Sequence, residues 1–298
     1  GADIWLKRED LTPVRSYKIR GAFNFMRKVI GQGGSDRTFV CASAGNHAQG
    51  FAFVCRHFGV RGVVFMPVTT PQQKIDKTRI FGGEFITITL VGDFFDQCYA
   101  AARAHVEATG GYMVPPFDHA DIIEGQATVA AEIMAQLPAE THPDLLIMPV
   151  GGGGLSAGMT GFLRDELSDG AFLFAEPAGA PSLKTSLEAG AIVTLPKVDN
   201  FVDGAAVARI GDLNFAALAD FAPRQVLLLP EDAICVTILD MLNVEGVVLE
   251  PAGALSIAAL DALGADKLKG KTVVCVVSGG NFDFERLPDV KERAMRYA

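Results

Sequence analysis

Met148-Pro149-Val150-Gly151-Gly152-Gly153-Gly154-Leu155-Ser156 joins a buried strand to a helix through four consecutive glycines. Without Cβ atoms, the peptide N–H groups of such a loop can converge on an anion at the helix N-terminus, and a phosphate is the natural guest. A merely tight turn needs one or two glycines. A P-loop would end in Gly-Lys-Ser/Thr, and that ending is missing here. The dinucleotide fingerprint is approached loosely by Gly152, Gly154 and Ala157, with Glu176 at about the right distance, so a nucleotide-binding dehydrogenase stays open as a remote alternative.

Working outward from this loop, strand-then-helix units follow one another. Strands are expected at Ile4 to Lys7, Thr38 to Ala42, Gly62 to Met66, Phe85 to Leu90, Tyr112 to Val114, Leu145 to Val150, Ala171 to Ala175, Gln225 to Leu229 and Thr272 to Val277. Between them lie helical patterns. One runs from Gly21 to Ile30 with Phe23, Met26 and Ile30 on a face; another starts at Asn46 and carries Phe51, Val54 and Phe58. Thr70-Pro71 opens a third, Asp93 caps a fourth, Asp121 to Leu137 forms a fifth, and Glu285 to Ala298 forms the last. Helices alternating with short apolar strands predict an α/β fold with parallel sheet covered on both faces.

The 298 residues suffice for two domains or one large one. A net charge of −9 argues against nucleic acid as a partner. No apolar run is long enough to cross a membrane. The five cysteines, Cys41, Cys55, Cys98, Cys235 and Cys275, are widely spaced, and buried reduced thiols suit a cytoplasmic protein. His57, His105, His119 and His142 have no metal-ligand spacing.

Three further stretches carry chemistry. In Ser16-Tyr17-Lys18-Ile19-Arg20-Gly21-Ala22, Lys18 follows an aromatic residue and precedes small residues. Most lysines are solvated surface charges, but a nucleophilic amine needs a setting that lowers its pKa, and Arg15 and Arg20 supply cations in sequence. Ser43-Ala44-Gly45-Asn46-His47-Ala48-Gln49-Gly50 is a second strand-to-helix junction, able to hold a carboxylate through its amides and the Ser43 hydroxyl. Taken alone, Asn46 reads as a helix cap and His47 as a hydrogen-bonded structural group. Ser278-Gly279-Gly280-Asn281 closes a last buried strand. Ligands of open parallel sheets sit at strand carboxyl ends, so the junctions after Ala42, Val150 and Val277 are expected on one rim with Lys18 reaching in. A lysine, a phosphate cradle and a hydroxyl at a strand end describe a pyridoxal phosphate pocket.

These motifs, in this order, resemble the fold-type II pyridoxal-phosphate enzymes, and among them the threonine dehydratases (threonine ammonia-lyases). Lys7-Arg8-Glu9-Asp10, Pro115-Pro116-Phe117-Asp118, Gly125-Gln126-Ala127-Thr128, Asp203-Gly204-Ala205-Ala206-Val207 and Glu250-Pro251-Ala252-Gly253-Ala254 match as well. The resemblance spans essentially the whole chain. It implies the tryptophan synthase β-like fold, two parallel-rich αβα domains with the cofactor between them. The small domain would be an excursion over 38–122, with 1–37 and 123–298 forming the large domain and no C-terminal regulatory domain.

The resemblance also assigns roles. Lys18 would carry the cofactor covalently and later act as the base at Cα, with Tyr17 against the cofactor. Asn46 would bond the ring oxygen, and Gly151, Gly152, Gly153, Gly154 and Leu155 would hold the phosphate. Ser278 would face the pyridine nitrogen, and Gly204 and Glu250 would line the pocket. Ser43, Ala44, Gly45 and His47 would surround the substrate carboxylate. Glu176 and Ala180 match cation ligands of related serine racemases, but Ser182 stands where those have Asp, so a monovalent cation is the expectation and a divalent metal is not. The implied reaction is β-elimination of L-threonine to 2-oxobutanoate and ammonia in isoleucine biosynthesis, with L-serine going to pyruvate, by a homo-oligomer. Serine dehydratase, serine racemase or another hydroxy-amino-acid lyase is the alternative.

Overall fold

The computed structural model describes residues 1–297. Its strands are β1 (Asp3–Arg8), β2 (Phe39–Ala42), β3 (Gly62–Met66), β4 (Ile86–Leu90), β5 (Tyr112–Met113), β6 (Leu145–Pro149), β7 (Phe172–Pro177), β8 (Val226–Leu229) and β9 (Thr272–Val277). Its helices are α1 (Lys18–Gly31), α2 (Asn46–Phe58), α3 (Gln72–Gly82), α4 (Phe95–Thr109), α5 (Ala120–Gln136), α6 (Gly154–Leu163), α7 (Ser182–Ala189), α8 (Asp212–Leu218), α9 (Glu231–Asn243), α10 (Pro251–Leu263), α11 (Ala265–Leu268) and α12 (Leu287–Tyr297). Packing divides the chain into two units: Gly1–Leu11 with Gln126 onward, and Thr12–Gly125.

In the first unit five strands lie in the order β1-β9-β6-β7-β8, every pair parallel. Alternate residues serve opposite faces. Ile147, Ala175, Cys275 and Val277 pack with Ile238 of α9, Ala254 and Leu255 of α10 and Val290 of α12. Phe172 and Phe174 meet the edge of Phe221. The Lys-Arg-Glu-Asp run closes the end of β1 with charges: buried Lys7 reaches Glu132 at 2.5 Å and Glu9 at 3.5 Å, while Arg8 grips Asp10 through two bonds of 2.8 and 2.6 Å.

The second unit holds a four-stranded parallel sheet, β4-β3-β2-β5. Phe39, Cys41, Val64 and Met66 pack with α1 and α2, while Val40, Ala42 and Phe65 pack with Cys98 and Ala102 of α4. Two covered parallel sheets are the architecture the alternating pattern predicts. The division falls at Thr12–Gly125, wider than 38–122, because α1 lies directly on α2. A Cβ added at Gly50 would sit 3.0 Å from the Ile19 amide nitrogen. The fully buried residues of α1 are Gly21, Ala22, Phe25 and Met26, and the expected Phe23 and Ile30 pack half-buried against the same core. Phe23 also meets the rings of His57 and Phe58 at a tilt.

Other local expectations shift for identifiable reasons. The cap position of α2 is Gly45, which leaves Asn46 as the first helical residue. Asp93 does not cap α4; the Gln97 side chain folds back to accept the Asp93 and Phe94 amides at 2.6 and 3.3 Å. The three junctions do not share one rim either, since Ala42 ends a strand of the other sheet.

One close approach in the first unit is testable. A Cβ on Gly253 would lie 2.0 Å from the Gly279 carbonyl oxygen, so the first turn of α10 rests on the backbone that follows β9. Gly253→Ala should destabilise the protein by about 2–3 kcal/mol, the usual penalty for overpacking against backbone. Urea denaturation reads this directly; a midpoint equal to the parent's would show that the contact is loose.

Candidate active site

In the first unit, β6 is buried along its length and ends at the glycine loop. The Val150 amide still donates to Ala175 at 2.9 Å, so the loop leaves the sheet only at Gly151. A Cβ at Gly151 would fall 3.0 Å from Ala205 Cα. Gly153 has φ +89°, a left-handed conformation that also brings it against Asn214 and Ile210. The Gly152 carbonyl is turned outward and held by Asn214 Nδ2 at 2.6 Å and the Gly211 amide at 3.2 Å. The first bond within α6 runs from the Ala157 amide to Gly153 at 2.8 Å. The amides of Gly154, Leu155 and Ser156 therefore have no intrahelical acceptor and carry the positive end of the helix dipole.

Ser278 emerges beside this loop. β9 pairs with β6 as Leu146↔Val274 and Ile147↔Cys275, a register that continues to place Ser278 level with Val150. The Ser278 hydroxyl is buried and donates to Ala252 at 3.1 Å. Glu250 is buried at the cap of α10, and a Cβ on Gly204 would come 2.8 Å from Ala252 Cβ and 3.7 Å from a Glu250 carboxylate oxygen. The segment from Phe201 to Ala205 is thus wedged between the glycine loop and α10. Its start is fixed by Arg286, which donates to the Phe201 carbonyl at 2.7 Å, and by the guanidinium groups of Arg286 and Arg293 over the Phe201 ring.

In the second unit, Lys18 is the first residue of α1. Thr12 clamps the preceding turn: its hydroxyl accepts the Ser16 amide and donates to the Ser16 carbonyl, both at 2.9 Å, while Arg15 adopts φ 59°. Lys18 Nζ donates to the Pro116 carbonyl at 2.9 Å, with the Tyr17 and Phe117 ring centroids 5.4 and 5.8 Å away. Ser43 Oγ accepts the Gly45 amide at 3.2 Å at the mouth of α2. His47, the second residue of α2, is buried, its Nε2 2.9 Å from the Val114 carbonyl. Burial, and then the positive charge of Lys18, push its pKa from 6.5 down to about 4. The ring is neutral, so Nε2 carries the hydrogen that Val114 accepts.

Glu176, near the end of β7, is buried and turned onto α7. Its carboxylate accepts the Leu183 and Lys184 amides at 2.7 and 3.0 Å and the Ser182 hydroxyl at 3.4 Å. Burial raises its pKa to about 7 against the pull of those donors. Ala180 is buried. Among the described residues no group of three or more His, Cys, Asp and Glu could hold a metal ion. The sequence reading passed over Asn214, Ala205, Gly50 and Pro116 as site residues. Pro116 lay inside a quoted motif, but a backbone acceptor has no side-chain signature.

The family model of the pyridoxal-phosphate dependent enzymes matches residues 1–279. The chain belongs to that family. It is 48% identical over 293 residues to the biosynthetic L-threonine dehydratase of Bacillus subtilis, covering 98% of this chain and 68% of the relative. Among solved structures it is similar to the processed form of threonine deaminase isoform 2 from Solanum lycopersicum, with a TM-score of 0.91, 37% identity, and coverage of 99% of this chain and 84% of that one. It is also similar to maize serine racemase, with a TM-score of 0.87, 26% identity, and coverage of 100% and 89%.

The residues present fit pyridoxal phosphate. The glycine loop presents the unpaired amides of Gly154, Leu155 and Ser156 at the start of α6, with Cβ atoms excluded at Gly151 and Gly153 by Ala205, Asn214 and Ile210, and Lys18 supplies an ordered amine. Two buried groups, His47 in the second unit and Glu176 in the first, have pKa values moved in opposite senses. His47, with its folded pKa lowered, is protonated first in the unfolded chain; its contribution is whole above pH 6.5 and is lost as pH falls toward 4. The loss is up to about 3 kcal/mol. Glu176, with its pKa raised, works the other way and weakens the fold as pH rises toward 7. His47→Gln should therefore lose less stability than the parent between pH 7 and 4.5 in urea titrations. Parallel pH profiles for the two proteins would show that the imidazole is solvated.

Proposed function

We propose that the chain is a threonine ammonia-lyase that uses pyridoxal phosphate to convert L-threonine to 2-oxobutanoate and ammonia by β-elimination, a step of isoleucine biosynthesis. L-serine goes to pyruvate as a side reaction. The observation that carries this reading is the near-half identity, across 98% of the chain, to a relative named for threonine dehydration.

When bound, the cofactor supplies an aldehyde that takes up amines and a conjugated ring that spreads charge from Cα. Lys18 carries it and, once displaced by substrate, takes the Cα proton. Gly151, Gly152, Gly153, Gly154 and Leu155 hold the phosphate through their amides and the dipole of α6. Ser43, Ala44 and Gly45, with the first amides of α2, hold the substrate carboxylate, and His47 anchors that helix without adding charge. Asn46 bonds the ring oxygen; Tyr17, Gly204 and Glu250 line the pocket. Ser278 stands by the ring nitrogen and is neutral, so no anion there favours a protonated ring. A neutral Ser278 at that place would leave the ring a weaker sink for Cα charge, which would favour loss of the β-hydroxyl. A monovalent cation near Glu176 and Ala180, a homo-oligomer and a cytoplasmic setting belong to the same proposal.

Racemisation is the competing outcome, raised by the likeness to maize serine racemase. It needs an acid on the face opposite Lys18. The family resemblance implies a Ser in racemases at the position of Ala44, and a methyl group delivers no proton.

Two measurements check the reading. Lys18→Ala, purified with cofactor, should lose at least about 10³-fold in 2-oxobutanoate formation, since one residue serves as carrier and base; near-normal turnover removes the assignment. With L-serine, the parent should form pyruvate far faster than D-serine, and comparable rates in a chiral assay would favour the racemase.

A further inference from the structure

We propose that the Pro116 carbonyl, flanked by the Tyr17 and Phe117 rings, is the seat of the Lys18 amine whenever that amine is not bonded to the cofactor, and that His47 is the positioning residue that holds the seat. The inference rests on the reading of Lys18 as the carrier lysine and deepens it.

In the turnover proposed above, Lys18 is displaced as an amine and then becomes an ammonium. The Cα–H bond of the substrate breaks, an N–H bond forms at Nζ, and the electron pair stays with the substrate. A newly formed ammonium close to apolar rings needs acceptors. The structure provides the Pro116 carbonyl at 2.9 Å and the faces of Tyr17 and Phe117 at 5.4 and 5.8 Å. Aromatic faces attract the cation and do little for the neutral amine. The seat therefore favours the charged form, the product of proton abstraction.

The seat is rigid by construction. Pro115 and Pro116 have fixed φ and no N–H, so that stretch has no donor to turn inward. Val114, just before them, is fixed on both sides: its amide donates to Val40 of β2 at 2.8 Å and its carbonyl accepts from His47 Nε2 at 2.9 Å. His47 is the second residue of α2, and α1 meets that helix at Gly50, one turn in, where an added Cβ would lie 3.0 Å from the Ile19 amide nitrogen and 3.2 Å from the Lys18 carbonyl carbon. The backbone of Lys18 and the carbonyl that receives its amine are thus both referenced to α2. A neutral imidazole suits this post, since a charged one would repel the ammonium.

The test uses cofactor-free enzyme mixed with pyridoxal phosphate at fixed pH, followed by visible absorbance. Phe117→Leu weakens the ammonium seat, so more of the amine is ready to attack, and capture should be about 3–10-fold faster, the size of one cation–π contact. A purely structural role for Phe117 would slow capture or leave it alone. His47→Leu should likewise speed capture, and His47→Gln, which keeps a donor, should return it to the parent rate. With Cα-deuterated threonine, Phe117→Leu should show a larger isotope effect on turnover, because proton abstraction has lost stabilisation. Parent-like or slower capture by Phe117→Leu, with an unchanged isotope effect, overturns the seat; if His47→Leu does not fold, Phe117→Leu decides alone. Lys18→Ala separates the two levels. If it still develops the full absorbance, the site reading fails; if it does not, and Phe117→Leu behaves as the parent, only the seat fails.

Discussion

A helix that starts where a parallel strand ends presents peptide N–H groups that the helix itself cannot satisfy. The chain meets this constraint at several passages, and at two of them, from β6 to α6 and from β2 to α2, the helix start is built from small residues. At α6 the solution is extreme: Gly153 takes a left-handed conformation, Gly151 lets Ala205 approach within van der Waals range, and the Gly152 carbonyl is pulled away by Asn214. The oxygen that would repel an anion is turned aside while the nitrogens remain. At α2 the Ser43 hydroxyl is engaged by the Gly45 amide, and the helix opens at Asn46 with no side-chain cap.

Much of this was legible in the sequence. Four glycines after a buried strand have few physical meanings, and the alternation of strand and helix predicts parallel sheets. The lysine stood out through its company. Local chemistry misled where one side chain could be replaced by another from the next turn: Asn46 reads as a cap until Gly45 takes the place, and Asp93 does until Gln97 folds back. The stripe of α1 is wider than the sequence pattern suggests: Gly21, Ala22 and Phe25 are buried beside Met26, with Phe23 and Ile30 packed at its edge. The supports of the site were not legible at all. Asn214 acts on Gly152 across 62 residues and Arg286 on Phe201 across 85, and neither pair leaves a periodic trace.

The charges follow the same economy. His47 is buried and kept neutral beside Lys18, while Glu176 is buried with its carboxylate on the amides of α7. Each is fixed by a backbone partner. Such groups hold helices and loops in register. In the proposed reaction the Lys18 amine alternates between bonded and free while the glycine loop keeps its hold on the phosphate.

The most direct measurement is chemical trapping. Borohydride reduction of the cofactor-loaded protein, followed by proteolysis and mass spectrometry, fixes the cofactor to whichever lysine carries it. The account predicts a single modified peptide containing Tyr17-Lys18-Ile19. Modification at Lys74, Lys77 or Lys184, with Lys18 unmodified, would contradict it.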